Sequence, residues 1–566
     1  MEQPSKSAVK ERGAYYTPKV ISNFIVKWGL ERTHNSAEIL EQSCGDGAFL
    51  NALTDSSKLM KGKNIKILAI EMDKDEAKKS RIIGNRLRSN SNITCNTVAS
   101  EYFTYMRAVK SRAKRKFNFV LGNPPYIKQS NFVEGRSQAK SRMEELGLEI
   151  NQQSNAWVYF VIDAVSRMSQ NSHIGLVIPA DLLQLGYAKK VQSYLIEHLD
   201  DILIIGFDEL VFPSIQQDVV LLLGKKSKRR KKKRIGLISV KNSSSLSSDL
   251  WKEFLRSKEL KNVDNIDWNL QYLHESKLSK INKIFDKKNV FSLGELSDNR
   301  IGIVTGANEF FCVDKVKLSE LRIRRGRNKG VHVKKMLGAK MDVPGIEYTQ
   351  KDHEHNHKNH KKTNFLNFNT EYPRKNLSDE LKSYLSMGEE KEYDARTQLA
   401  RRTPWFSPEH VIATRIGLYK RCDEFCKLFL KPDDVYHTDT IYRLWVIKNS
   451  NEITPQKVVF SFANSLTYLS CEMVGRNYGG GVLELTQGEI RLLKLPIYDC
   501  TEDEFAHLDE MFRNNTSIEQ ILDYTDDLTL NFLNKSERKL IRESWRYLKN
   551  RRMNRKKRGG GSDGSK

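Results

Sequence analysis

The stretch 117–126, FNFVLGNPPY, decides how the rest of the chain is read. Phe117 to Leu121 is an apolar run of strand length, closed by a glycine and two prolines. The residues that follow carry chemistry. Asn123 offers an amide that both accepts and donates hydrogen bonds. Pro124 and Pro125 lack an N–H, so their surroundings hold rigid, accessible carbonyls. Tyr126 adds a flat ring. Two acceptors and a ring suit a planar ligand with an exocyclic amino group. The same residues also fit a strand end followed by an extended turn, and the neighbouring stretches must decide.

Working outward, the chain has an α/β rhythm up to about residue 225. GAYYTP (13–18) precedes a helical pattern in which Ile21, Phe24, Ile25 and Trp28 share one face, with Thr17 as a candidate cap before Pro18. Strands are expected at Glu38–Leu40, Ile65–Ile70, Ile93–Val98, Phe117–Leu121 and Ile174–Ile178. Helices lie between them, one carrying Trp157, Phe160, Val161 and Ala164 and another over about 183–198. Ile202–Phe207 and Val219–Leu223 are expected to close the sheet as an antiparallel hairpin. The alternation predicts an α/β fold, a doubly wound, mostly parallel, Rossmann-like sheet. The basic run from Lys225 to Arg234 ends that pattern and is expected to be a solvated loop or one that faces phosphate. Beyond it no βα alternation returns. A helical connector and an irregular α+β region are expected, giving domains at 1–235 and 236–545, then a basic, flexible tail at 546–566. A basic helix is expected over roughly 535–558.

Charge sets the class of partner. Ninety-five Lys and Arg against 70 Asp and Glu give a net charge of +25, which points to a polyanion, nucleic acid first. No apolar run is long enough for a transmembrane helix, and the opening MEQPSKSAVKERG lacks the apolar core of a secretory signal, so no membrane partner is expected. Seven cysteines without a C-x-x-C pair suggest a reduced, intracellular protein. Cys422 and Cys426, at helical spacing, are expected to be half-buried thiols. The histidines of KDHEHNHKNHKK (351–362) alternate with no cysteine nearby and read as a polar loop, so no metal site is expected.

Ligands of open α/β sheets bind at the carboxyl ends of parallel strands. Three groups fall there: Glu41 to Gly47, Glu71, and Asn123 to Tyr126. Gly45 and Gly47 would let backbone pass close to a ligand, and Glu71 could take ribose hydroxyls, although an acid at a strand end is often only a helix cap. No Lys-Ser/Thr follows the glycines, which excludes a P-loop.

In this order and spacing the motifs resemble those of S-adenosylmethionine-dependent N6-adenine DNA methyltransferases of the gamma class. The resemblance implies a class I methyltransferase domain followed by a target-recognition domain, with S-adenosyl-L-methionine as cofactor and double-stranded DNA as partner. GAYYTP is similar to the family's N-terminal motif, which carries Tyr15 and Thr17 to the cofactor. EQSCGDGAF (41–49) is similar to its first motif, with Glu41 near the methionine and Gly45, Asp46 and Gly47 along the cofactor. Glu71 matches the acidic ribose ligand and Met72 the residue beside the cofactor's adenine. NPPY is the catalytic motif: Asn123 and the Pro124 carbonyl accept the amine protons, Pro125 and Tyr126 complete it, and Tyr126 stacks on the base. In VFPSIQQDVVLLL (211–223), Phe212 matches the aromatic on the opposite face of that base. Where the family places an Asp after the third strand, this chain reads VASEYF (98–103), leaving Ser100 or Glu101 for the cofactor's adenine. TGANEFF (305–311) and GRNYGGGVLEL (475–485) resemble segments of the recognition region, the latter as a glycine-rich hairpin near DNA. Arg401, Arg402, Arg415 and Arg476 are candidates for DNA contact there.

The implied activity is site-specific methylation of a flipped-out adenine, as the modification enzyme of a restriction-modification system whose endonuclease is encoded separately. The implied setting is a monomer in the cytoplasm of a bacterium or archaeon, at the nucleoid. NPPY also occurs in methyltransferases of RNA adenine and of protein glutamine, which stay as alternatives on the motif alone.

Overall fold

The computed structural model describes residues 17–88, 92–129, 131–151, 154–184, 186–209, 211–212, 218–227, 233–256, 268, 273, 275–323, 329–338, 343–408, 411–447, 453–478 and 481–553. The chain divides into two compact units, one within residues 1–272 and one at Leu273–Met553.

The first unit is built on an eight-stranded sheet. Its strands are β1 (Ser36–Glu41), β2 (Asn64–Glu71), β3 (Ile93–Ala99), β4 (Phe117–Gly122), β5 (Met168–Pro179), β6 (Asp201–Phe207), β7 (Val219–Lys226) and β8 (Arg234–Val240). Their order is β3-β2-β1-β4-β5-β7-β6-β8. Strands β3, β2, β1, β4 and β5 run parallel, and β7 is antiparallel to both β5 and β6. The apolar runs explain this placement. Ile39, Leu40, Leu68, Phe119, Val120 and Leu121 are at most 1% exposed, as strands covered on both faces require. The helix Lys19–Leu30 buries Ile21, Ile25 and Trp28, and every residue of the helix Trp157–Ser166 is buried.

A buried charge network stitches that second helix in place. Asp163 accepts from Arg167 Nε at 2.6 Å, Arg142 Nε at 2.8 Å and the Tyr102 hydroxyl at 2.5 Å. Burial alone would raise the Asp163 pKa. Arg167, then Tyr102 and Arg142, outweigh it and hold the carboxyl below its ordinary value.

Several expectations need correction. The sheet does not end at Lys225, because β8 follows the basic run and pairs parallel with β6; its half-buried residues hide the apolar alternation of an edge strand. Thr17 is not a helix cap; Pro18 takes that position without a side-chain bond. The histidine-rich stretch is a helix, Gln350–Lys358, started by a Thr349/Asp352 capping box. In it His353 is buried and lies 3.1 Å from the Tyr348 hydroxyl. Cys422 ends a short strand rather than sitting on a helix, and both Cys422 and Cys426 are fully buried, with sulfurs 3.0 Å apart.

The second unit carries small sheets. One joins Ser297–Ile301, Ile441–Val446, Ile416–Tyr419 and Leu428–Leu430. A second joins Cys312–Val313, Asn364–Phe368, Val331–Leu337 and Val435–His437. Arg476–Tyr478 and Val482–Glu484 form the glycine-rich hairpin, whose Gly479 and Gly480 lie outside the described residues. The last helix, Lys535–Met553, runs past residue 546 and is no loose tail up to its end: Arg552 is 1% exposed and pairs with the buried Glu472 at 2.6 Å. Residues 554–566 lie outside the described residues, as do residues 228–232 of the basic run. No described helix is long and apolar enough to cross a membrane. Among the described residues, no three His, Cys, Asp or Glu side chains gather into a metal-holding group.

Candidate active site

The carboxyl ends of β1, β2 and β4 meet because the three strands are neighbours in parallel register. Glu41 pairs with Leu121 on one side and Ala69 on the other. Just beyond β4, Gly122 has φ +148°, a conformation that a side chain would strain. It turns the chain so that Asn123 leaves the sheet, half-buried, with Pro124 buried behind it.

Asn123 is held through both its side chain and its backbone. Its amide nitrogen donates to Thr17 Oγ1 at 3.3 Å. Its amide oxygen accepts from the Tyr126 hydroxyl at 2.5 Å. Its backbone carbonyl accepts from Ser43 Oγ at 3.1 Å. The Tyr126 hydroxyl also lies 3.0 Å from the Val177 carbonyl at the end of β5. One hydroxyl proton cannot serve both acceptors fully, so the Tyr126 hydroxyl is shared between Asn123 and Val177. Tyr126 and Phe212 are 8% and 6% exposed and belong to one apolar core. Phe212 is described; Pro213 beside it is not.

The turn after β1 is shaped for a close neighbour. Gly45 and Gly47 have φ +51° and +89°. A side chain at Gly47 would strike Ile83, whereas nothing lies within 4 Å of the place a Gly45 side chain would take. Ser80 Oγ donates to the Gly45 carbonyl at 2.7 Å, and Gly45 N donates to Glu71 Oε2 at 2.8 Å. Asp73 N donates to the other Glu71 oxygen at 2.9 Å. The cap of the next helix, Lys74–Leu87, is Asp73, which accepts from Asp75 N and Glu76 N. Glu71 is therefore not spent on capping, and each of its oxygens keeps a lone pair for a ligand. Met72 beside it is 47% exposed, an uncovered apolar side chain at a strand end.

Glu41 is the most unusual group of the site. It is 1% exposed, and neither carboxylate oxygen has a partner among the described residues. Burial, then the charges of Glu71 and Asp46, push its pKa well above the ordinary carboxylate value. Burial likewise raises Asp46 and Glu71. A buried, unpartnered acid is costly, and a cationic ligand would offset the cost. After β3, Glu101 caps the helix Tyr102–Arg107 by accepting from Phe103 N and Thr104 N. That engages its carboxylate and leaves Ser100, half-buried, as the freer side chain of the pair.

Tyr15 lies outside the described residues. In the second unit Arg401 and Arg415 are exposed. Arg402 donates to the Thr305 and Val304 carbonyls at 2.9 and 2.6 Å, and Arg476 pairs with Glu489 at 2.7 Å. Sequence reading missed Ser43, Ser80 and the Val177 carbonyl. Each acts on a residue distant in the chain, and no local pattern marks them.

Comparison with known proteins gives this geometry a family. The N-6 DNA Methylase family matches residues 1–292, more than half of the chain. The C-terminal domain of the type II methyltransferase M.Eco57I matches residues 265–530. The type II methyltransferase M.AccI of Acinetobacter calcoaceticus is 23% identical over 555 residues, 92% of this chain and 93% of that protein. M.HindII of Haemophilus influenzae is 22% identical over 326 residues, 55% of this chain and 57% of its own length. The fold is similar to that of a nuclease-deletion mutant of the type ISP restriction-modification enzyme LlaGI, with a TM-score of 0.50 at 11% identity over 88% of this chain and 54% of that one. With its mostly parallel sheet and the NPPY end of β4, the chain belongs to the N-6 DNA methylase family, S-adenosylmethionine-dependent enzymes that methylate adenine in DNA.

Proposed function

We propose that the protein methylates N6 of an adenine flipped out of a specific duplex sequence, as the modification enzyme of a restriction-modification system with a separately encoded endonuclease. The observation that carries this reading is Asn123, turned out of the sheet by Gly122 and held by Thr17 and Tyr126 next to the strand end that bears Glu41. Support for the system comes from the type II methyltransferases and the restriction-modification enzyme it resembles. The bacterial sources of its relatives support a bacterial cytoplasm.

S-adenosylmethionine, when bound, supplies an electrophilic methyl group. The residues present fit it: Glu41 offers a buried carboxyl with no partner among the described residues, which a cationic ligand would ionise, Gly45 an open face, and Glu71 two acceptors. Thr17, Asp46, Gly47, Met72 and Ser100 complete that set in this reading. An adenine amine is conjugated with its ring and is a poor nucleophile. Asn123 Oδ1 and the Pro124 carbonyl accept its two N–H bonds, which draws the lone pair out of the ring and aims it. The protein contributes fixed dipoles and position rather than a strong base. Pro125 keeps the turn rigid. Tyr126 and Phe212 stack on the two faces of the base, which cannot be reached inside the duplex.

Methylation-sensitive sequencing of DNA from cells expressing the protein tests the reading. N6-methyladenine at one recurrent sequence is expected; its absence, or a scatter without sequence, overturns it. Asn123→Ala should lower the methylation rate by on the order of 10²–10³-fold while S-adenosylmethionine still binds.

A further inference from the structure

The second unit holds a cluster of arginines that the chemistry above does not use. In the antiparallel pair of Ser297–Ile301 with Ile441–Val446, Arg300 stands directly opposite Arg443. Like charges at such positions repel, because opposed side chains share a face of the sheet. Both line a cavity of about 650 Å³, together with Arg401, Arg402, Gln398 and Gln487, and among the described residues no Asp or Glu lines it. Arg402 is held by two backbone carbonyls. Among the described residues, Arg300, Arg401 and Arg443 have no ion pair. Arg443 is half-buried, its Nε has no partner there, and one terminal nitrogen reaches the Ile412 carbonyl at 3.4 Å. Burial, then the charge of Arg300, lowers its pKa.

A fold gains nothing by gathering cations that repel one another, unless an anion joins them. Arg300 and Arg401 are exposed, so the cavity is open to a large ligand. The edge of a guanine would satisfy one guanidinium but brings no net charge. A phosphodiester brings a full negative charge and oxygens that match the planar guanidinium fork.

We propose that this cavity binds a backbone phosphate of the DNA substrate, with Arg300 and Arg443 as its cationic wall and Arg401 at its rim. The proposal rests on the reading of the chain as a DNA methyltransferase and adds a positioning site, which sets register on the duplex without reading sequence. Gln398 and Gln487 supply neutral donors to the same group.

The test uses the full chain with Arg300→Gln and Arg443→Gln, singly and together. Binding is measured by anisotropy, across a salt series, to a duplex carrying the methylated sequence and to a scrambled duplex of equal length. Each single change should weaken binding to both duplexes by a similar factor, and the slope of log affinity against log salt should fall by about 0.9 per arginine. Thermal unfolding of the free variants should occur at the wild-type temperature or above it, since a repulsion is relieved. Unchanged affinity and slope would overturn the proposal. So would a loss confined to the methylated sequence at constant slope, the mark of a base contact, or a fall in unfolding temperature that accounts for the lost binding. Methylation by the wild type is measured separately. If it makes no N6-methyladenine while the slope still falls in the variants, the functional reading fails and the phosphate site stands.

Discussion

Glu41 is where residue-level chemistry is most exposed to test. An acid whose pKa is raised by folding keeps its proton in the folded state above 4.5, up to its folded value. Over that window the unfolded chain has already lost the proton, so the contribution of Glu41 to stability declines as pH rises. A cation bound beside the carboxylate favours the ionised form and expels the proton. S-adenosylmethionine binding should therefore release protons and tighten with rising pH, as measured by calorimetry in buffers of unlike ionisation enthalpy. In Glu41→Gln both effects should vanish; proton release that persists would assign it to another group. Tyr126 offers a second test. Tyr126→Phe keeps the ring but removes the bond to Asn123 Oδ1, whereas Tyr126→Ala removes the ring as well. Stacking on a base contributes about 1–3 kcal/mol, so Ala should cost more than Phe in KM for DNA. Equal costs would mean that the hydroxyl, not the ring, matters.

At the scale of elements, two buried ion pairs fix helices that a local reading leaves loose. Asp163 joins the helix Trp157–Ser166 to Tyr102 in the helix after β3. Removing it leaves Arg167, which is 2% exposed, without its carboxylate. Breaking one partner of a buried pair costs about 3–5 kcal/mol. Asp163→Ala should therefore lower the unfolding free energy by that amount, read from denaturant unfolding, while Asp75→Ala, on an exposed pair, should change it little. Since folding lowers the Asp163 pKa, its contribution is lost as pH falls through the folded value. The network was not legible in the sequence because Arg142, Asp163 and Tyr102 are distant in the chain. The helix at Lys535–Met553 was legible in part. Its basic composition suggested a flexible tail from residue 546, but Arg552 pairs with Glu472 and is covered. The histidine stretch shows the same limit in reverse: its polar letters hide a helix whose His353 packs under Tyr348.

At the scale of the whole molecule, a net charge of +25 must act through phosphates if DNA is the partner. Binding of the full chain to duplex DNA should then weaken by about 10³-fold or more between low and moderate salt. A titration at several salt concentrations reads this directly. Affinity indifferent to salt would mean that the charge serves another purpose.

The sequence by itself determined the α/β class, the parallel strands at the core and which residues stand at their carboxyl ends. Strand-length apolar runs, glycines and prolines are local signals, and NPPY with EQSCGDGAF and Glu71 is a spaced pattern that survives without a structure. Only the tertiary structure decided that β8 extends the sheet, that Asp73 and Glu101 rather than Glu71 are the helix caps, that Ser43 and Thr17 brace Asn123, and that Arg300 opposes Arg443. Those depend on which backbone groups are left unpaired and which side chains become neighbours. Pairing across a sheet joins residues far apart in the chain, and nothing in the local order of letters records it.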